Sequence, residues 1–320
     1  MKNTNICVVG LGNIGLLHLE ILCGLGRDGI KVYGVESDVK KSLMIKEKYN
    51  VEIFNDIHKA INELEFDLVD ICLPTFKHFD AAQLIIKNTR ANILIEKPIT
   101  RTLDEAEKLA DLMNLPENKD RFVMCAMVER FFSPFQEIKK WLDTQQSPFK
   151  MEFTRRTKRQ AVNSWLLDKK LGGGVMFDLG IHDIDLMQWF TGEDIEEIVR
   201  VNKSELDAFD VEIKTSKGSF VQFKFGWDVP EDSSIGIINK VSISSDNEIS
   251  YNSDLNQLLI NGSLVNEFEE GRCPSAYRAE IEHAINCTIN NEKPRIDLSE
   301  SLKVMETIER IKLKLEDCKE

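Results

Sequence analysis

The sequence predicts an α/β protein: a doubly wound parallel sheet over residues 1–128, then a second α/β domain over residues 129–320 built on short antiparallel strands. Three observations predict it. Short apolar runs alternate with helical stretches as far as residue 128, and such runs mark strands buried on both faces. A turn reading Gly10-Leu-Gly12-Asn13-Ile14-Gly15 stands between the first run and the first helical stretch. Beyond residue 128 the period changes to strict alternation, clearest in Gly218-Ser-Phe-Val-Gln-Phe-Lys-Phe-Gly226. A chain of 320 residues also favours two domains over one.

Each element follows from local pattern. Ile6–Val9 is an apolar run, and a helical stretch from about Ile14 to Leu25 comes after the glycines. Lys31–Val35 is a second strand ending at Glu36; Lys40–Lys48 is helical and Val51–Phe54 extended. Ile57–Leu64 is helical, and the strand Leu68–Leu73 is stopped by Pro74. Phe79–Lys87 is helical, and the strand Asn92–Glu96 is stopped by Pro98. Leu103–Met113 is helical and Phe122–Val128 extended. In the second part, a helix over Ser133–Asp143 precedes an alternating strand near Phe149–Lys158. A glycine run and a helix carrying Asp178 and His182 come next. Residues 195–262 hold short strands with turn signals at Lys217-Gly218, Asp246-Asn247 and Asn261-Gly262, the pattern of an antiparallel meander. Helices near Tyr277–Ile289 and Ser299–Leu315 close the chain. The joint near residue 128 carries no low-complexity linker, and a cleft beside such a joint is a natural ligand site.

Composition narrows the function. Lys plus Arg is 41 and Asp plus Glu 54, a net charge of −13. That balance disfavours nucleic acid and anionic membranes as partners. The basic stretch Arg155, Arg156, Lys158 and Arg159 stands against it; it is either a solvated strand face or a site for an anionic or phosphorylated substrate. Seven scattered cysteines without a Cys-x-x-Cys pair read as reduced and buried. With no signal-peptide pattern and no membrane-length apolar run, the expected location is cytoplasmic.

The glycine turn has a mechanism. The first glycine makes the tight turn, the second lets backbone approach a pyrophosphate, and the third packs helix on sheet. The helix N-terminus then offers free N–H groups to phosphate. Glu36, 21 residues after Gly15, can accept both hydroxyls of an adenosine ribose and would repel a 2′-phosphate. We therefore expect NAD in preference to NADP, with Lys40 and Lys41 close enough to matter. Pro74, Thr75 and His78 follow a strand on the edge where ligands bind in such sheets. Thr75 can meet the nicotinamide ribose; His78 is either a ligand contact or a helix N-terminal residue.

Glu96-Lys97-Pro98 ends a strand on that same edge. There an ammonium, Lys97, can hydrogen-bond a substrate oxygen that becomes a carbonyl and steady developing negative charge. Asp178 and His182 sit four positions apart, so on a helix they share one face, a turn from each other. An imidazole is suited to taking a proton near neutral pH, and Asp178 can orient it or bind a second hydroxyl. His182, Asp183 and Asp185 can also be read as metal ligands, but no second ligand cluster supports that, and no metal is expected. Together these residues point to an enzyme that moves a hydride to or from a nicotinamide.

The chain resembles the glucose–fructose oxidoreductase / inositol dehydrogenase / rhizopine catabolism (Gfo/Idh/MocA) family of NAD(P)-dependent oxidoreductases. The residues carrying the resemblance are Val8-Val-Gly10-Leu-Gly12-Asn-Ile-Gly15, Val69-Asp-Ile-Cys-Leu-Pro74-Thr75-Phe-Lys-His78, Ile95-Glu96-Lys97-Pro98-Ile99, Trp165-Leu-Leu-Asp168 with Gly172-Gly-Gly174, Asp178-Leu-Gly180-Ile-His182-Asp183-Ile-Asp185, and Pro294-Arg-Ile-Asp297. The resemblance implies a Rossmann domain plus an α/β domain with a large, mainly antiparallel sheet. It places catalysis on Lys97, Asp178 and His182, and substrates among cyclitols, sugars, nucleotide sugars and related polyols. It implies a homodimer or homotetramer formed through that sheet. Arg156, Arg159 and Trp165 fall beside the substrate in such folds. NAD-binding regulators without turnover share the resemblance; the presence of both Lys97 and His182 favours the enzyme.

Overall fold

The computed structural model describes residues 3–161, 164–168, 170–204, 207–234, 236–268 and 274–317. The first half runs β1 (Thr4–Val9), α1 (Asn13–Gly24), β2 (Ile30–Val35), α2 (Val39–Tyr49), β3 (Glu52–Phe54), α3 (Ile57–Glu63), β4 (Leu68–Ile71), α4 (His78–Asn88), β5 (Asn92–Glu96), α5 (Leu103–Met113) and β6 (Val123–Ala126). The rest runs α6 (Ser133–Leu142), β7 (Lys150–Lys158), α7 (Ile181–Thr191), β8 (Ile195–Lys203), β9 (Ala208–Thr215), β10 (Phe220–Val229), β11 (Ile237–Ser244), β12 (Glu248–Asn252), β13 (Gln257–Ile260), β14 (Ser263–Glu267), α8 (Pro274–Asn290) and α9 (Leu298–Asp317). Two compact units result: Met1–Val128 with Pro274–Leu302, and Glu129–Cys273 with Lys303–Glu320.

The first unit holds a six-stranded sheet in the order β3-β2-β1-β4-β5-β6, every pair parallel. β1 lies between β2 and β4, so the strand order reverses there, and the carboxyl ends of β1 and β4 form the switch point where ligands bind in open α/β sheets. β4 and β6 are buried along their whole length, as strands covered on both faces must be. The segment 274–302, expected within the second domain, groups with this unit instead. Its tie is local chemistry: Asn286 Oδ1 accepts from Arg27 at 2.7 Å, and Tyr277 packs on His18 with ring centroids 5.9 Å apart.

The second unit holds an eight-stranded sheet, β14-β13-β12-β11-β7-β10-β9-β8. Its neighbours are antiparallel except β7 and β10, which run parallel because the chain leaves the sheet after β7 and re-enters at β8. Alternation sends Met151, Phe153 and Arg155 of β7, and Val221, Phe223 and Phe225 of β10, to the buried side. Phe153 stacks on Phe223 at 5.2 Å between centroids. β14, Ser263–Glu267, lies beyond the last strand the pattern suggested. Among the described residues no helix is long and apolar enough to cross a membrane.

Candidate active site

In the first unit the glycine turn does three separate jobs. Gly10 has φ +89°, and a Cβ there would lie 2.8 Å from Leu73 Cδ2 and 3.0 Å from the Cys72 carbonyl oxygen. Gly15 presses α1 onto the turn so closely that any Cβ would collide with the Gly10 carbonyl. Gly12 faces open space and caps α1 without any side-chain hydrogen bond. The exposed Asn13 and half-buried Ile14 start the helix, whose first amides are thus left for an anion. A pyrophosphate fits this cradle: the chain is bare where phosphate oxygens need backbone N–H groups.

Glu36 follows β2. Its carboxylate accepts from the Asp38 amide at 3.0 Å and lies 3.2 Å from Lys41 Nζ. The acid is therefore held in place with a basic neighbour beside it. After β4, Pro74 leads into a short turn, Thr75–Lys77, in which Thr75 is buried. His78 is fully buried, with Nδ1 2.8 Å from the Pro98 carbonyl oxygen and Nε2 2.7 Å from that of Leu73. Its ring clamps the end of β4 to the turn after β5, and burial pulls its pKa below the ordinary histidine value. Glu96 is the last residue of β5, and its Oε2 accepts the Lys97 backbone N–H at 3.1 Å. Lys97 is half-buried and precedes a cis proline.

In the second unit Asp178 lies in a single π-helical turn, Met176–Gly180, running directly into α7, which carries His182. Such turns recur at functional sites because they re-aim side chains. Asp178 Oδ2 accepts from Trp227 Nε1 at 3.0 Å and from Gln160 Nε2 at 3.3 Å. Trp227 keeps the buried side of β10 with Val221, Phe223 and Phe225, at the point where the β7–β10 register shifts between Gly226 and Val229. The glycine run is occupied largely by the chain itself: a Cβ on Gly172 would meet Leu166 Cα at 2.5 Å and one on Gly173 would strike the Phe177 ring, while Gly174 is open. Trp165 is half-buried in the short turn Trp165–Leu167.

The neighbours of His182 form a buried ionic lattice. Arg155, fully buried, lies 2.6 Å from Glu129 Oε1 and donates from Nε to Asp183 Oδ1 at 2.8 Å. Arg130 forks onto Asp185 at 2.9 and 2.8 Å. Asp183 and Asp185, readable as metal ligands in the sequence, are thus paired with guanidinium groups. The basic stretch likewise dissolves into pairs: Arg156 lies 3.2 Å from Asp228, the exposed Arg159 3.9 Å from Asp207, and Lys158 donates to the Glu231 carbonyl. Sequence reading missed His18, Asp70, Glu129, Arg130 and Trp227. The only available signal was a charge inside an apolar run, as at Asp70.

Residues 4–124 match "Oxidoreductase family, NAD-binding Rossmann fold" and residues 135–238 match "GFO/IDH/MocA C-terminal domain". Myo-inositol 2-dehydrogenase of Thermotoga maritima is 28% identical over 200 residues, 60% of this chain and 56% of that protein. The match thus spans little more than half of the relative. Among solved structures, GenD2 from gentamicin A biosynthesis, in complex with NAD, superposes with TM-score 0.85 at 17% identity over 99% of this chain and 95% of its own. UDP-N-acetylglucosamine 3-dehydrogenase from Acidithiobacillus ferrooxidans superposes with TM-score 0.81 at 20% identity over 98% of both chains. With matches in both units, the chain belongs to the GFO/IDH/MocA oxidoreductase family and carries its NAD-binding Rossmann fold.

Proposed function

We propose that this protein is an NAD-dependent dehydrogenase that oxidises a secondary alcohol of a cyclitol, sugar or nucleotide sugar. The observation that carries the reading is the turn at Gly10, Gly12 and Gly15, shaped for a dinucleotide at the same sheet edge as Lys97. Gly12, Asn13, Ile14 and Gly15 would hold the pyrophosphate, Glu36 the adenosine ribose, and Pro74, Thr75 and Glu96 the nicotinamide half; His78 supports that edge as a clamp. NAD, when bound, supplies the hydride acceptor. Lys97 donates a hydrogen bond to the substrate oxygen, which favours the alkoxide over the alcohol. His182 takes the proton, and Asp178, fixed by Trp227 and Gln160, orients the reacting group. Arg156, Arg159 and Trp165 bear on substrate choice, the two arginines through whatever charge Asp228 and Asp207 leave them. The protein acts as a homodimer or homotetramer in the cytoplasm. The names of the relatives support the substrate class: an inositol in one, a UDP-sugar in another.

The test is absorbance at 340 nm with NAD or NADP against panels of inositols, aldoses and UDP-sugars. We expect turnover with NAD, and Lys97→Ala to lower kcat by roughly 10²–10⁴-fold, the usual worth of a proton-handling group, with NAD still bound. Unchanged turnover in that variant refutes the role of Lys97. NAD binding without turnover of any alcohol points instead to a ligand-sensing regulator.

A further inference from the structure

We propose that His18 is a positioning residue for Lys97: a buried imidazolium, anchored by Asp70, that fixes the Glu96 carboxylate on which the Lys97 backbone rests. The inference builds on the catalytic role assigned to Lys97 above.

Both carboxylates approach one ring. His18 projects from α1 and is fully buried. Its Nδ1 lies 2.8 Å from Asp70 Oδ2 on β4, and its Nε2 lies 3.4 Å from Glu96 Oε1 at the end of β5. The second separation is that of an ion pair, and Nε2 makes no hydrogen bond among the described residues. The other Glu96 oxygen accepts the Lys97 N–H at 3.1 Å. A continuous polar line therefore runs from Asp70 through His18 and Glu96 to Lys97, across β4, α1 and β5. A neutral imidazole has one N–H and would turn a lone pair toward one of two buried carboxylates; the doubly protonated ring faces both with donors. Asp70 sits in an apolar strand, Leu68-Val69-Asp70-Ile71, where an unpaired carboxylate is costly.

The remaining neighbours add no competing charge. Cys72 Sγ lies 3.5 Å from Nδ1 and 3.4 Å from Asp70 Oδ1, and burial pushes that thiol up, so it stays neutral. Tyr277 of α8 presents a ring. Burial opposes charge on His18, but the charge of Asp70 and the hydrogen bonds to Asp70 and Cys72 hold its pKa well above the ordinary value.

The experiment is ¹⁵N NMR of imidazole-labelled full-length protein, with the His18 signals assigned by their loss in His18→Gln. Both ring nitrogens should be protonated at pH 7, and the His18 titration midpoint should fall in Asp70→Asn and in Glu96→Gln. In turnover of myo-inositol with NAD, His18→Gln should lower kcat by roughly 10²-fold, as a misplacement of ~1 Å does, with a smaller rise in the NAD KM. A singly protonated His18 at pH 7, or a midpoint indifferent to Glu96→Gln, overturns the proposal. So does stoichiometric metal in the purified protein, since His18, Asp70 and Cys72 place donor atoms within 4.8 Å of one another. Should His18→Gln fail to fold, the His18 signals are assigned by elimination from His58→Gln, His78→Gln, His182→Gln and His283→Gln, and the NMR arms read out on wild type and Glu96→Gln. They also hold whether or not any alcohol is turned over, so failure of the positioning line is distinguishable from failure of the dehydrogenase reading.

Discussion

Arg155→Ala is the sharpest test of the ionic lattice behind His182. Arg155 is 0% exposed, and its partners Glu129 and Asp183 are 2% and 1% exposed. Removing the guanidinium leaves two carboxylates in the interior with their shared cation gone. Breaking a buried pair by deleting one partner costs about 3–5 kcal/mol. The two partners share one cation, so their losses do not add, and we take that range once. For a body of this size each kcal/mol shifts Tm by about 2–4 °C, so the variant should melt roughly 6–20 °C lower. The deficit must also depend on pH. In the variant both carboxylates keep their burial without the Arg155 charge, and binding a proton would relieve that cost. Protons grow scarcer as pH rises, so the gap to wild type should widen from pH 5 to pH 8. Calorimetry at the two pH values measures both quantities. Replacing the whole set, Arg155→Met with Glu129→Gln and Asp183→Asn, should recover most of the loss, because neutral groups of similar volume carry no desolvation cost of charge. A single variant melting within about 2 °C of wild type would refute the reasoning. So would a deficit that does not change with pH.

Two further outcomes follow from the first unit. Glu36→Ala removes the acid held by Asp38 and frees Lys41, 3.2 Å away; loss of a charged hydrogen bond, about 1.5–3 kcal/mol, should cost NAD roughly 10–100-fold in kcat/KM. NADP should gain relative to NAD, and an unchanged NAD:NADP ratio counts against Glu36 as the ribose acid. Burial lowers the pKa of His18, but the charge and hydrogen bond of Asp70 raise it further, so its stabilisation is present below the ordinary histidine value and lost as pH rises through the higher folded value. Urea unfolding of wild type and His18→Gln should therefore differ most in mild acid and converge toward alkaline pH.

How much the sequence disclosed varied with the physics of each position. The Rossmann unit was legible because a strand covered on both faces must be apolar, and a dinucleotide turn needs glycine at fixed offsets: Gly10 for its φ of +89°, Gly15 because α1 presses on the Gly10 carbonyl. The assignment of 274–302 was not legible, since an amphipathic helix shows that it packs but not on what. The parallel β7–β10 pair was hidden for the same reason: alternation gives the face of a strand, never its neighbour. At the chemical residues, Lys97 and Asp178 stood out by motif, while their supports did not. Trp227 reaches Asp178 from 49 residues away in the chain, and the π turn at Met176–Gly180 leaves no mark in the spacing of Asp178 and His182. Arg155 looked like part of a basic patch; strand alternation turned it inward, and only the fold reveals the two acids that accept it.

A common device emerges in the two units. Two of the residues assigned to chemistry have as chain neighbour an acid held by a buried cation: Glu96 beside Lys97 faces His18, and Asp183 beside His182 is gripped by Arg155. Buried ion pairs are a poor way to gain stability, because desolvation offsets their attraction. What they do well is fix direction, since a forked guanidinium accepts few geometries, and a reacting group must be held to within about 0.5 Å. If direction is the purpose here, the two properties should separate. Exchanging the Arg130–Asp185 pair, which anchors α7 three residues past His182, for Met and Leu should leave Tm unchanged or raise it, because similar apolar volumes replace two desolvated charges. The same exchange should lower kcat, by loosening the helix that carries the imidazole. A double variant that keeps full turnover while melting at or above the wild-type temperature would show that the pair neither stabilises nor directs, and the positioning argument for α7 would fall with it.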